Sequence, residues 1–82
     1  MTKEQFKALF DLYFDDIRRY LYYRCGDTAV ATDLAQDTFM GIWEKQMDLQ
    51  PEEDKALLYK IAGDLYVSYM RREHLRKEAP DR

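Results

Sequence analysis

Apolar side chains recur three and four positions apart along most of the chain, and no segment alternates as a half-buried strand would, so the pattern predicts helices. The first spans residues 3–24, with Phe6, Leu9, Phe10, Tyr13, Ile17, Tyr20 and Leu21 as its stripe. It should end at Cys25-Gly26-Asp27, where glycine can take the left-handed conformation that closes a helix and Asp27 or Thr28 can accept the first free amide of the next. The second spans residues 28–47, with Val30, Ala31, Leu34, Ala35, Phe39, Ile42, Trp43 and Met47 on its apolar side. Residues 48–54 form an acidic linker, and a proline near a helix start with acids in the first turn suits the positive end of a helix dipole. A third helix is therefore expected from Pro51 or Asp54, with Leu57, Leu58, Ile61, Ala62, Leu65 and Tyr69 as its stripe, running into a basic stretch over residues 71–77. The expected fold is all-α: three principal helices, the longest two packed antiparallel. The domain should cover residues 1–78, with 79–82 the start of a linker.

Eighty-two residues allow one modest core, which excludes a large enzyme. A hydrophobic content of 46% with 35% charged residues is that of a globular chain and argues against disorder. No apolar run approaches the ~20 residues of a membrane span, and no signal-type stretch follows the first residues, so a cytoplasmic protein is expected. The net charge of -3 is unevenly spread. Residues 1–54 carry six Lys/Arg and twelve Asp/Glu, a balance of -6, whereas residues 55–82 carry seven and four, a balance of +3. Such a division suggests two different partners, nucleic acid being a candidate for the basic end; the alternative is an ordinary solvated surface.

Candidate chemistry narrows the choice further. The one histidine, His74, lies in the basic run far from the one cysteine, Cys25, so neither a zinc site nor an internal disulfide is expected, and no cofactor is implied. Asp15-Asp16 and Glu52-Glu53 are neighbours in sequence; on a helix their side chains diverge by about 100° and cannot share a proton as a catalytic dyad would. Gly26, Gly41 and Gly63 are isolated, so there is no phosphate-cradling loop, and no serine has a nucleophile-elbow context. Neither an enzyme nor a small-molecule substrate is expected. Tyr22, Tyr23, Tyr59 and Tyr66 fall off the apolar stripes. Two readings are open: exposed rings beside Lys60, Arg71 and Arg72 that stack on unpaired bases, or rings packed on a neighbouring helix with the hydroxyl in water.

Asp33, Gln36 and Asp37 are three and four residues apart and form one polar patch opposite much of the second helix's core stripe, a patch able to dock a partner helix. The stretch around them, Ala31-Thr32-Asp33-Leu34-Ala35-Gln36-Asp37-Thr38-Phe39-Met40-Gly41-Ile42-Trp43, resembles the polymerase-binding helix of bacterial RNA polymerase sigma factors of the extracytoplasmic-function type, in region 2. Leu57-Leu58-Tyr59-Lys60-Ile61-Ala62, followed by Tyr69-Met70-Arg71-Arg72, is similar to that family's promoter-reading helix. Phe6-Lys7-Ala8-Leu9-Phe10-Asp11-Leu12-Tyr13, with Ile17 and Tyr20, resembles its first helix, so the likeness covers residues 5–77 in order.

The resemblance implies a transcription initiation domain that docks on core RNA polymerase and recognises and melts the promoter minus-ten element. Asp33, Gln36 and Asp37 would meet the coiled coil of the polymerase's largest subunit. Residues 49–55 would form a loop holding a flipped-out base. Lys60 and Asp64 would face promoter DNA near the opening point, and Arg71 and Arg72 would hold phosphate. An anti-sigma protein is a further implied partner. The family continues into a helix-turn-helix domain that this chain does not contain, so a fragment of a longer protein is expected. Asp64 stands where the family usually has Asn, Gly63 where a basic residue is common, and Ser68 where Asp is common. A carboxylate facing phosphates repels them, though it accepts a hydrogen bond from a cytosine amino group, so weak DNA affinity is expected for this domain alone. The alternative reading is a sigma-like regulator or interaction module that binds polymerase or an anti-sigma protein without reading DNA.

Overall fold

The computed structural model describes residues 1–78, with side chains described through residue 74. The expected linker start at 79–82 lies outside the described residues.

Helix α1 spans Lys3–Cys25. Thr2 and Gln5 begin it as a capping box, the Gln5 N–H donating to Thr2 Oγ1 at 3.1 Å and the Thr2 N–H to Gln5 Oε1 at 2.9 Å. Gly26, at a φ of 72°, ends it by turning left-handed while its N–H bonds the Tyr22 carbonyl. Helix α2 spans Thr28–Glu44. Of the two candidate caps it is Asp27 that serves, accepting from the amides of Ala29 and Val30 at 2.9 and 3.2 Å. Helix α3 spans Lys55–Glu78.

One element boundary differs from expectation, and another settles between two expected positions. α2 stops at Glu44, three residues before the predicted end, because Gln46 turns left-handed at a φ of 52°. The Met47 N–H then bonds the Ile42 carbonyl and the Gln46 N–H that of Trp43, each at 3.0 Å, a Schellman closure with glutamine where glycine is usual. Of the two expected starts of α3 the later holds: the helix runs from Lys55 with Asp54 just before it, so Pro51 and the acids Glu52 and Glu53 occupy a turn ahead of the helix and not its first turn. Asp54 organises that turn: its carboxylate accepts from the Gln50 N–H at 2.7 Å, and its carbonyl accepts the Leu58 N–H.

The core is built chiefly between α1 and α2, which run antiparallel. Phe6, at the start of α1, meets Trp43 at the end of α2, ring centroids 5.2 Å apart, and Phe10 meets Phe39 edge-on at 5.2 Å. Leu9, Tyr13, Ile17 and Leu21 bury their stripe against Ala31, Leu34, Ala35 and Ile42. Phe14, off the predicted stripe, stacks on Phe10 at 4.6 Å. Among the described residues α3 adds only Leu58 and Ala62 to the fully buried set, and Leu57, predicted inward, is 38% exposed because it sits about 100° around the helix from Leu58.

α3 runs along α1 in the same direction: Lys55 lies over Tyr13, Tyr59 meets Tyr20 at 5.1 Å, and Tyr66 meets Arg24. The two longest helices, α1 and α3, are therefore parallel, contrary to expectation. Three helices joined by short connections alternate in direction, which makes the first and third alike. Gly63 lets them approach, since a Cβ there would come within 3.1 Å of the Tyr20 hydroxyl. Arg24 sits over the rings of Tyr20 and Tyr66, donates to the Tyr20 hydroxyl at 2.7 Å, and receives on its carbonyl the Tyr66 O–H at 3.0 Å. Tyr59 and Tyr66 are thus half-buried packing residues, and the stacking strip considered for them is not formed; Tyr22 and Tyr23 are exposed.

Candidate docking and nucleic-acid faces

Asp33, Gln36 and Asp37 are all exposed on α2, and the 3.6-residue period brings them onto one outward face, opposite buried Ala31, Ala35 and Ile42. Two further residues share it. Met40, 51% exposed, lies near its centre, and Glu44 extends it by two turns from Asp37. Their spacing from Asp33 and Asp37 was there to be read, but a methionine in an apolar run suggests core.

The electrostatics of this face are one-sided. On α1, three of the four acids are matched locally, Lys7 with Asp11 at 2.8 Å, Arg18 with Asp15 at 3.7 Å and Arg19 with Asp16 at 3.3 Å, and the fourth, Glu4, stands in the first turn, where the helix dipole favours a negative charge. α2 has no lysine, arginine or histidine, and Asp33, Asp37 and Glu44 make no ion pair among the described residues. Glu44 also stands in the last turn, where the helix dipole disfavours a negative charge. These carboxylates do little for the helix that carries them. They leave the outward face of α2 net negative, with the nearest cation in sequence, Lys45, just past the helix end. Apolar grooves flank the ridge on both sides: one of about 190 Å³ toward α1, lined by Phe6, Phe10 and Phe39, and one of about 280 Å³ toward α3, lined by Ile42, Ile61 and Leu65.

On α3, Lys60, Asp64 and Arg71 fall on one outward stripe with Leu57 and Val67. Arg72 is exposed but about 100° around the helix from Arg71, so the four expected DNA residues are split three and one. Lys60 and Asp64 are brought together as an ion pair, Nζ to Oδ2 3.1 Å, each about 69% exposed. This pairing, legible as an i,i+4 spacing, offsets the charge of one of the three expected DNA-facing cations. In that loop Leu49 is buried against the core, while Gln50, Pro51, Glu52 and Glu53 surround a shallow cleft. Among the described residues no three His, Cys, Asp or Glu side chains are grouped as metal ligands would be, and no helix is long and apolar enough to cross a membrane.

Comparison with known proteins gives this arrangement a family. The family described as sigma-70 region 2 matches residues 9–76. The chain is 32% identical over 77 residues to the ECF RNA polymerase sigma factor BldN of Streptomyces coelicolor, an alignment covering 92% of this chain and 29% of that protein. The chain therefore spans under a third of the length of this curated relative, and no solved structure matches it. An antiparallel α1/α2 pair, an acidic outward face on α2 and an α3 bearing paired and free cations thus belong to a member of the sigma-70 region 2 family, of the extracytoplasmic-function type.

Proposed function

We propose that this domain docks on core RNA polymerase through the outward face of α2 and presents α3 and the preceding loop to the promoter minus-ten element. The observation that carries the docking half is the unopposed charge of α2: three carboxylates, no cation on the helix, and no ion pair among the described residues. Asp33, Gln36 and Asp37 pair basic and polar residues of the largest subunit's coiled coil, with the carboxylates accepting charge-assisted hydrogen bonds. Lys60, Asp64 and Arg71 line the DNA-facing stripe, and Arg72 holds phosphate on its flank. The domain works by binding, not by catalysis: unpairing is offset by contacts to the separated strand. It acts in the cytoplasm, where polymerase is, and the same acidic face is available to an anti-sigma protein.

A second reading has one observation in its favour. The Lys60–Asp64 pair and the acids Glu52 and Glu53 reduce the attraction of this end for DNA, as they would in a regulator that docks on polymerase without reading promoters. Core polymerase mixed with the chain and a forked minus-ten duplex separates the two. The DNA-reading account expects retention of the fork in a ternary complex, lost on substituting Arg71→Ala and Arg72→Ala together while polymerase binding persists. Polymerase binding with no added retention of the fork would favour the regulator.

A further inference from the structure

Two of the three glycines have a structural reason. Gly26 takes the left-handed turn after α1, and Gly63 leaves room for the Tyr20 hydroxyl. Gly41 has neither. It sits within α2, in ordinary helical conformation, and a Cβ built on it meets nothing within 4 Å. Glycine in a helix interior is less favourable than alanine, so folding alone would prefer a side chain here.

What Gly41 does is deepen the groove between α2 and α3. The floor is formed by Ile42, Met47, Ile61 and Leu65. Asp37 stands at one end of its α2 rim and Lys45, the residue that caps α2, at the other, about two turns apart. At about 280 Å³ and open to solvent, it falls just below the ~300–1,000 Å³ of enclosing small-molecule sites, and it has no convergent polar groups on its floor. Its size and lining suit one aliphatic side chain delivered from outside. Asp37 also belongs to the acidic ridge, so the groove and the ridge form one continuous surface.

We infer that the polymerase segment docking on Asp33, Gln36 and Asp37 also seats an apolar side chain over Gly41 in the α2–α3 groove, next to the cation it sets against Asp37. This rests on the docking reading above. The groove is the apolar anchor that an acidic rim lacks: interface energy concentrates in desolvated apolar contacts, and rim charges chiefly set orientation and encounter rate. Because the methyl of Gly41→Ala enters open space, this substitution should stabilise the free domain while obstructing the partner, whereas a merely structural glycine would lose stability on the same change.

The test is titration of core RNA polymerase with the wild-type chain, Gly41→Ala, Gly41→Leu and the triple variant Asp33→Ala/Gln36→Ala/Asp37→Ala, each first checked by thermal unfolding. The expected result is a raised Tm for Gly41→Ala with weakened docking, and a loss of at least about tenfold for Gly41→Leu. If both Gly41 variants dock like wild type while the triple variant does not, the groove assignment is overturned and the ridge stands. If the wild-type chain itself does not dock, both are overturned. Should Gly41→Leu fail to fold, Gly41→Ala decides the matter alone.

Discussion

Gly63 and Tyr20 act as a pair, and their coupling is measurable. Alanine at 63 gains ~1 kcal/mol of helix propensity but places its Cβ 3.1 Å from a hydroxyl held by Arg24. Gly63→Ala alone should therefore stabilise by less than that amount, and in a Tyr20→Phe background, where the hydroxyl is gone, by about the full ~1 kcal/mol. Urea unfolding of the double-mutant cycle reads the difference; additive values would show that the close approach does not matter. Asp64 is a second single-residue case. Its exposed pair with Lys60 contributes only ~0.3–0.5 kcal/mol, so Asp64→Asn should barely change stability. Freed from its partner, Lys60 becomes available to a phosphate. DNA retention by the polymerase-bound domain should rise, and its log–log salt dependence should steepen by about 0.7–0.9. An unchanged slope would mean that Lys60 does not approach the backbone. At this scale the sequence was readable where spacing decides the outcome, as for Asp33, Gln36 and Asp37 on one face. It was unreadable where a third helix decides it, as for Tyr59 and Tyr66, whose burial against α1 depends on packing that no local pattern encodes.

Elements were legible where their punctuation is conventional. The α1–α2 turn follows from Gly26 and Asp27, since each residue has the conformation or acceptor the junction requires. The end of α2 was not, because Gln46 fills a left-handed position that usually advertises itself with glycine or asparagine. The start of α3 was legible only as a choice between Pro51 and Asp54, and the later holds because Asp54 organises a separate turn that Pro51 and the acids belong to. Leu49 lies between these two boundaries and is the only buried apolar residue of the connection, so it tethers the loop to the helices. Leu49→Ala should cost about 2 kcal/mol, the low end of the range for buried leucines, because the site lies at the edge of the core and can collapse. It should also raise amide exchange in the turn ahead of α3 more than in α1. A uniform loss of protection would mean that Leu49 belongs to the global core and does not tether the loop.

Taken as one body, the molecule divides its core unevenly among the helices. Among the described residues α1 and α2 supply nearly all the buried apolar surface, and α3 lies along them with two fully buried residues and an exposed outward stripe. Charge follows the same division, with an acidic first part and a basic end. Composition announced that asymmetry, and the helical period turned it into faces. What composition could not give is that three of the four acids of α1 are paired in place while Asp33, Asp37 and Glu44 of α2 are not, the contrast on which the proposed docking face rests. The most direct measurement is the affinity of the purified chain for core RNA polymerase beside its Asp33→Ala/Gln36→Ala/Asp37→Ala variant, with both shown to be equally helical and equally stable. The account predicts saturable binding by the chain and a loss of at least about tenfold in the variant, weakening further with added salt. Equal binding by the two would contradict it, because the polymerase would then be held by some other face.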